Sequence, residues 1–412
     1  MPRKKTVETE VVWEETPDGV TLPEGWRWVK LGKFVKAIKG KKPKSLSKVL
    51  TATHSIPYVN IKAFESNTID EYTDGDGAVL CNDGDFLMVW DGSRSGYVGR
   101  AIKGALGSTL VKLEFPEIHD EYAYYFLESK FIEINTRAKG VGIPHVDPNL
   151  LWNYDLLIPP LPTQQKIVAK IEALFTELDA GVEKLKAAQQ QLKVYRQAVL
   201  KAAFEGELTT TQVANEKIKI PLGKLASSCL GKMLDKQKNK GRLMPYLRNI
   251  NVRWGRFDLN NLEKMPFEED EDERYLIRYG DLVVCEGGEP GRCAIWKDKV
   301  NTVRIQKALH RIRVSDLLNV DYLYYYFIFI SMNGFIDIYF TGTTIKHLTG
   351  KELKNIPIPV YPINIQQSIV TAIETRLTAC EAMEKEIEVQ LSNAAQLRQS
   401  ILKKAFSGEL IS

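Results

Sequence analysis

The strongest constraint on this chain is that it repeats itself. Gln164-Gln165-Lys166-Ile167-Val168 returns as Gln366-Gln367-Ser368-Ile369-Val370, and the run Arg196–Leu208 returns as Arg398–Leu410. The offset is 202 in both places, and 17 of the 45 positions from Gln164 to Leu208 are identical across it. Upstream of each copy the correspondence is looser but keeps its order: Leu31-Gly32-Lys33 with Leu222-Gly223-Lys224, Gly84-Asp85 with Gly280-Asp281, Tyr122 with Tyr322, and Gly140, Ile143 and His145 with Gly342, Ile345 and His347. Short periods of roughly 20–50 residues build solenoids. A period of 202 residues in a chain of 412 gives two copies of one large building block, a pseudo-dimer within a single chain. A single core is excluded on size too, since domains average roughly 100–200 residues.

The best-preserved segments read as long helices. From Gln165 to Phe204 apolar residues step by four and three: Ile167, Ile171, Leu174 and Leu178, then, past Gly181, Leu185, Ala188, Leu192, Tyr195, Val199 and Ala202. The second copy steps through Ile369, Ile373, Arg376, Cys380, Met383, Ile387, Gln390, Ala394, Leu397, Ile401 and Lys404. A sustained 3.5-residue period is a coiled-coil seam. Each helix follows a proline-bearing segment, 158–162 or 358–362, and is expected to stop at a glycine, Gly206 or Gly408. Elsewhere, Phe86–Trp90 and Leu282–Cys285 read as strands between Gly/Asp clusters, and the tyrosine-rich 122–127 and 322–330 as buried helices. The predicted fold class is α+β: two mixed α/β domains separated by two long antiparallel helices forming a coiled coil, with a pseudo-twofold internal repeat. The expected boundaries are a polar tail at 1–20, a first globular domain at 21–157, a first long helix at 158–208, a linker at 209–219, a second domain at 220–355 and a second long helix at 356–412.

Net charge, +4, says little about partners, but its distribution says more. Between Arg27 and Lys62 there are ten basic residues and no acidic one; between Lys224 and Arg256 there are nine basic residues and a single acid, Asp235. A basic field recurring in both copies points to a polyanion surface. The candidate phosphate contacts are Lys39, Lys41, Lys42 and Lys44 in the first copy, and Lys232, Lys236, Lys238, Lys240, Arg242 and Arg253 in the second. Two loops per copy could approach base edges. The glycine-rich segment 91–100 carries Arg94 and Arg100, and its counterpart 286–292 carries Arg292. Glycine lets a backbone come close to a ligand, and arginine pairs bidentately with guanine. The second loop, 137–145, offers Lys139 and His145, matched by Lys346 and His347 in 341–347.

Signals for catalysis are missing. No Gly-x-x-x-x-Gly-Lys-Ser/Thr phosphate loop occurs, nor an Asn/Asp-Pro-Pro-aromatic tetrapeptide of a nucleic-acid methyltransferase. The five histidines form no metal-spaced cluster, and the five cysteines are scattered without a Cys-x-x-Cys. The chain alone is expected to be non-catalytic, without cofactor or metal. It begins Met-Pro-Arg-Lys-Lys with no apolar stretch behind, so neither a secretory signal nor a membrane span is expected, and the expected location is cytoplasmic.

The chain resembles the specificity subunit of type I restriction-modification systems. The resemblance is carried by the duplication, by the Gln-Gln-x-Ile-Val segment entering each helix, by Arg-Gln-x-x-Leu-Lys-x-Ala-Phe-x-Gly-Glu-Leu ending each helix, and by Gly342-Thr343-Thr344-Ile345-Lys346-His347-Leu348. The opening Leu22-Pro23-Glu24-Gly25-Trp26 also fits, while the first copy departs from the fuller motif with Gly142-Ile143-Pro144-His145-Val146. The resemblance implies that each globular domain is a target recognition domain reading one half of a bipartite double-stranded DNA site. It also implies that the helices set the spacing, that two modification (methyltransferase) subunits dock on them, and that restriction (translocase/endonuclease) subunits join. S-adenosylmethionine, ATP and Mg are then expected on the partner subunits. The docking helices would present Gln164, Gln165, Arg196, Phe204, Gln366, Gln367, Arg398 and Phe406. The residues by themselves also allow a coiled-coil scaffold with two domains that bind something other than DNA.

Overall fold

The computed structural model describes residues 22, 24–205, 218–235, 237, 239–299 and 302–411. The tail 1–20, the helix stop at Gly206, residues 209–217 of the linker and the candidates Lys236 and Lys238 lie outside the described residues. The chain divides into two compact units, one within 1–184 and 390–412, the other 185–389.

The two units share the plan of their main sheet. In the first, an antiparallel sheet runs in the order Lys36–Lys39, Leu110–Glu114, Phe86–Val89, Val98–Arg100. In the second, the order is Ala226–Leu230, Leu309–Val314, Leu282–Cys285, Cys293–Ile295. The strands Phe86–Val89 and Leu282–Cys285 are buried at every position, which explains why both read as unbroken apolar runs rather than as alternating ones. The Gly-Asp pair before each makes the turn. Gly84 and Gly280 hold φ of 82° and 85°, and the following carboxylates accept the backbone N–H of Asn82 at 2.9 Å and of Arg278 at 2.7 Å. A second small sheet in each unit contains one parallel pairing, Ile56–Val59 with Gly104–Leu106 and Arg242–Leu247 with Arg304–Ile305. The tyrosine-rich helices are Asp120–Thr136 and Val320–Met332. Finally, Arg27–Lys30 pairs with Asp155–Ile158, and Ile218–Pro221 with Pro357–Val360, drawing the ends of each domain together just before its long helix.

The long helices are Leu161–Glu205 and Ile363–Phe406, 45 and 44 residues, or about 65 Å each at 1.5 Å per residue. The first begins four residues before Gln165 because Pro162 falls in the first turn, where a missing N–H costs nothing. Each unit contains the beginning of one long helix and the end of the other. In the first unit, Ile167, Val168, Ile171 and Phe175 share a core with Ile401, Leu402 and Ala405. In the second, Ile369, Val370 and Ile373 share a core with Leu200, Ala203 and Phe204. The segments run antiparallel within each unit. Arg196 pairs with Glu384 at 2.9 Å, whereas Phe204, further along, shares its core with Ile369 and Ile373. Arg398 pairs with Asp179 at 3.0 Å, whereas Ile401 and Ala405 reach back to Ile167 and Ile171.

The seam itself departs from the sequence reading. Tyr195, Met383 and Leu397, expected inside, are 45%, 57% and 51% exposed, and Gln390 and Lys404 also face outward. The inner positions belong to Arg196, Glu384, Leu391 and Arg398. Arg398 lies 3.6 Å from Glu128 as well as against Asp179, and its guanidinium sits 3.8 Å over the Phe175 ring. At two of these four positions the inward side chain is an arginine whose charge is answered locally and whose stem packs as hydrocarbon.

Candidate nucleic-acid interface

In each unit the two loops singled out by the sequence converge. In the first, Gly92 N–H donates to the Pro144 carbonyl at 2.8 Å, and Val146 N–H to the Trp90 carbonyl at 2.9 Å. Asn135, at the end of its helix, donates to the carbonyls of Ser93 and Ser95, both at 3.0 Å, and so pins the glycine-rich turn. The basic strand ends beside them, with Lys39 Nζ 3.0 Å from the Asp91 carboxylate. In the second unit, Leu348 N–H donates to the Glu286 carbonyl at 2.8 Å. A short hairpin, Val252–Arg253 with Arg256–Phe257, packs on the glycine-rich turn. There, Trp254 Nε1–H donates to Glu289 at 2.8 Å and Gly255 N–H to the Cys293 carbonyl at 3.1 Å.

The histidine loops are built alike. Lys139 and His145 exchange backbone hydrogen bonds of 2.9 and 2.7 Å, and Thr341 and His347 exchange two of 2.8 Å. Each pair closes a five-residue loop, Gly140–Pro144 or Gly342–Lys346, whose first glycine has φ of 107° or 92°. A Cβ there would lie 2.4 or 2.3 Å from the carbonyl of Ile143 or Ile345, so only glycine fits. His145 is half-buried and His347 exposed. Behind the second loop, buried His310 donates from Nε2 to the Leu348 carbonyl at 2.9 Å, and burial pushes its ring basicity below the ordinary range.

The charge reading needs correction in three dimensions. Carboxylates remote in sequence answer much of each basic run: Lys36 meets Glu114, Lys39 meets Asp91, Lys44 meets Asp76, and Arg242 meets Glu269. Exposed pairs of this kind are worth little and exchange readily for phosphate. Lys41, Lys42, Lys240 and Arg253 are exposed without an ion pair among the described residues, as is Arg256, which the candidate set omitted. Arg94 is exposed, 3.2 Å from Glu65 and 3.8 Å over the Tyr97 ring. Lys139 and Lys346 are exposed, with loose or surface partners in Asp147 at 2.9 Å and Asp337 at 3.7 Å.

Three candidates are held by partners within the protein. Lys232 is 7% exposed, bound to Glu271 and to the Pro266 carbonyl at 3.1 Å. Arg292 is held by Glu289 at 2.6 Å and the Asn249 carbonyl at 2.9 Å, with a side chain only 12% exposed. Arg100 pairs with Glu121 at 2.6 Å and lies over the Phe86 and Tyr124 rings. Each would have to leave its present partners to reach a nucleic acid.

The docking residues are likewise redistributed. Gln164 accepts from His119 N–H and donates to the Pro159 carbonyl, both at 2.8 Å; Gln366 accepts from Asn319 N–H at 2.8 Å and donates to the carbonyls of Leu317 and Tyr361 at 2.9 and 2.8 Å. Both are buried clamps tying the start of a long helix to the start of a domain helix. Phe204 packs on Tyr322, Tyr326 and Phe329, and Phe406 on Tyr122 and Phe126. With Arg196 and Arg398 in the ion pairs above, only Gln165 and Gln367 of that set face outward. Among the described residues no cluster of metal-binding side chains occurs, and no helix is long and apolar enough to cross a membrane.

Comparison with known proteins agrees with this geometry. Residues 23–190 and 230–393 match the family model described as the type I restriction modification DNA specificity domain. The type I restriction enzyme MjaVIII specificity subunit of Methanocaldococcus jannaschii is 25% identical over 391 residues, 90% of each chain. The EcoBI specificity subunit of Escherichia coli is 28% identical over 350 residues, 79% of this chain and 73% of that one. Among solved structures, a chain from work on complex assembly and conformational transition of the type I R-M system superposes with a TM-score of 0.72 at 21% identity, covering 95% of this chain and all of that one. The HsdS subunit of Thermoanaerobacter tengcongensis gives 0.59 at 20% identity, covering 95% and 99%.

Proposed function

The chain belongs to the type I restriction-modification DNA specificity family, and from that premise we propose that it is the sequence-reading subunit of such a system. Each unit reads one half of a bipartite site in double-stranded DNA, and the long helices fix the distance between halves. The observation that carries this reading is the duplicated platform. A glycine-rich turn and a histidine loop are fused by backbone hydrogen bonds at corresponding places in two units with the same main sheet, beside cations that have no carboxylate partner among the described residues. Phosphate contacts from Lys41, Lys42, Lys240, Arg253 and Arg256 supply affinity and its salt dependence, while loop residues supply sequence choice.

Catalysis belongs to partners in this reading. Two modification subunits carry S-adenosylmethionine, restriction subunits carry ATP and Mg, and the assembly works in the cytoplasm. Outward-facing apolar side chains on the helices, Val194, Tyr195, Met383 and Val389, support docking there. The test is methylome sequencing of the host with and without this gene. The reading expects one asymmetric bipartite methylated motif that disappears on deletion; a methylome unchanged by deletion would contradict it.

A further inference from the structure

The duplication puts matching charges on the two long helices, and the two units use them differently. In the first unit a cation site is already filled. Arg398 lies 3.0 Å from Asp179 and 3.6 Å from Glu128, with its guanidinium 3.8 Å over the Phe175 ring. The repeat offset of 202 matches Arg398 with Arg196, Asp179 with Glu381, Glu172 with Glu374 and Phe175 with Leu377. In the second unit the arginine is engaged elsewhere. Arg196 pairs with Glu384 at 2.9 Å, and the first copy has Val182 where the second has Glu384, so Arg398 has no such alternative. Glu374 and Glu381 are exposed and have no ion pair among the described residues.

Both carboxylates line a cleft of about 560 Å³, with Leu377, Tyr324, Tyr325 and Trp254 in its walls. The two tyrosine rings stand 5.1 Å apart, and the indole of Trp254 is held by its hydrogen bond to Glu289. Charge and wall are close together: burial, and after it the carboxylates of Glu374, Asp321 and Glu381, push the Tyr325 hydroxyl up to about 12. In the first unit Phe175 supplies the ring beneath the cation. Leu377 cannot, and the hairpin brings in Trp254 instead, the best of the aromatic faces for a cation.

Resting on the specificity-subunit reading above, we propose that this cleft of the second unit receives an arginine side chain of the docked modification subunit, in the role that Arg398 fills in the first unit. Carboxylates at the rim repel phosphate, so the occupant is not the DNA. The apolar part of the wall, Leu377 and the ring faces, calls for a hydrocarbon stem behind the charge, which a bare cation lacks. Between the two long basic side chains, arginine is the more weakly hydrated, stacks on aromatic faces and pairs with carboxylates as a fork.

The experiment titrates the full-length chain with the purified modification subunit and reads affinity by fluorescence anisotropy, with the melting temperature of the chain as a check on folding. Glu381→Gln should weaken the complex about fivefold, and Glu374→Gln/Glu381→Gln more. Glu381→Asp, which installs the first unit's residue, should bind as the wild type does. All three should melt with the wild type, because both side chains are exposed. A photocrosslinking benzoylphenylalanine in place of Thr378, another residue of the cleft wall, should capture a modification-subunit peptide that contains arginine. Changing that arginine to glutamine should weaken the complex as Glu381→Gln does, and the two changes together should cost less than their product. Wild-type affinity in Glu374→Gln/Glu381→Gln, or capture of a peptide without arginine, would overturn the arginine site and leave the specificity function standing. A wild-type chain that binds no modification subunit would overturn both.

Discussion

At the scale of single residues, the most recognisable motifs turn out to be architecture. Gln366, itself completely buried, satisfies one backbone N–H and two backbone carbonyls. Gln366→Ala strands all three, and an unsatisfied buried group costs about 1–3 kcal/mol. We expect a loss of about 2–4 kcal/mol in thermal or urea unfolding, against less than about 0.5 kcal/mol for the exposed neighbour in Gln367→Ala. The sequence shows that both glutamines repeat; it does not show which one turns inward, because that depends on the strand pairing that brings Asn319 to the helix start. His310 gives a pH dependence. Its basicity is lowered by burial from an ordinary 6.5, so below that value the unfolded chain binds a proton that the folded one resists, and stability falls as pH falls. Thermal unfolding of the wild type is expected to weaken between pH 7 and 5 by an amount that His310→Gln removes.

At the scale of elements, both long helices, the two central strands and the tyrosine helices were legible because each follows one dominant periodicity or an unbroken apolar run. The seam register was legible at its ends, where Ile167, Ile171, Ile369 and Ile373 are buried, and at Cys380 and Ile387. Elsewhere, the ion-paired Arg196, Glu384 and Arg398 take positions that apolarity assigns to their neighbours. The distinction is measurable. Ile387 is 8% and Met383 57% exposed. Ile387→Asp buries an unpaired charge and is expected to cost about 3 kcal/mol or more, while Met383→Asp should stay within about 0.5 kcal/mol. Equal losses in denaturant melts would refute the register. Arg398→Ala tests the ionic part. It leaves Glu128, whose carboxyl burial already pushes above the ordinary carboxylate range, without its cation. A loss of about 1–3 kcal/mol is expected, allowing for the partial exposure of the pair.

For the molecule as a whole, duplication told the architecture, and charge told only half of the site. Runs of lysine are one-dimensional, whereas neutralisation is three-dimensional. Glu114, Asp91 and Glu269 lie far along the chain from the cations they meet, so no local count could separate Lys41 and Lys42 from Lys232. Ile143 and Ile345 were visible as matched letters, but their exposure follows from loops closed by backbone pairing. The central claim is that two units of one plan read DNA independently. Its most direct test exchanges residues 220–355 for the corresponding domain of a relative and maps methylated sites made by the reconstituted complex. The account expects one half of the bipartite motif to change while the other half persists. A change in both halves, or in neither, would contradict it.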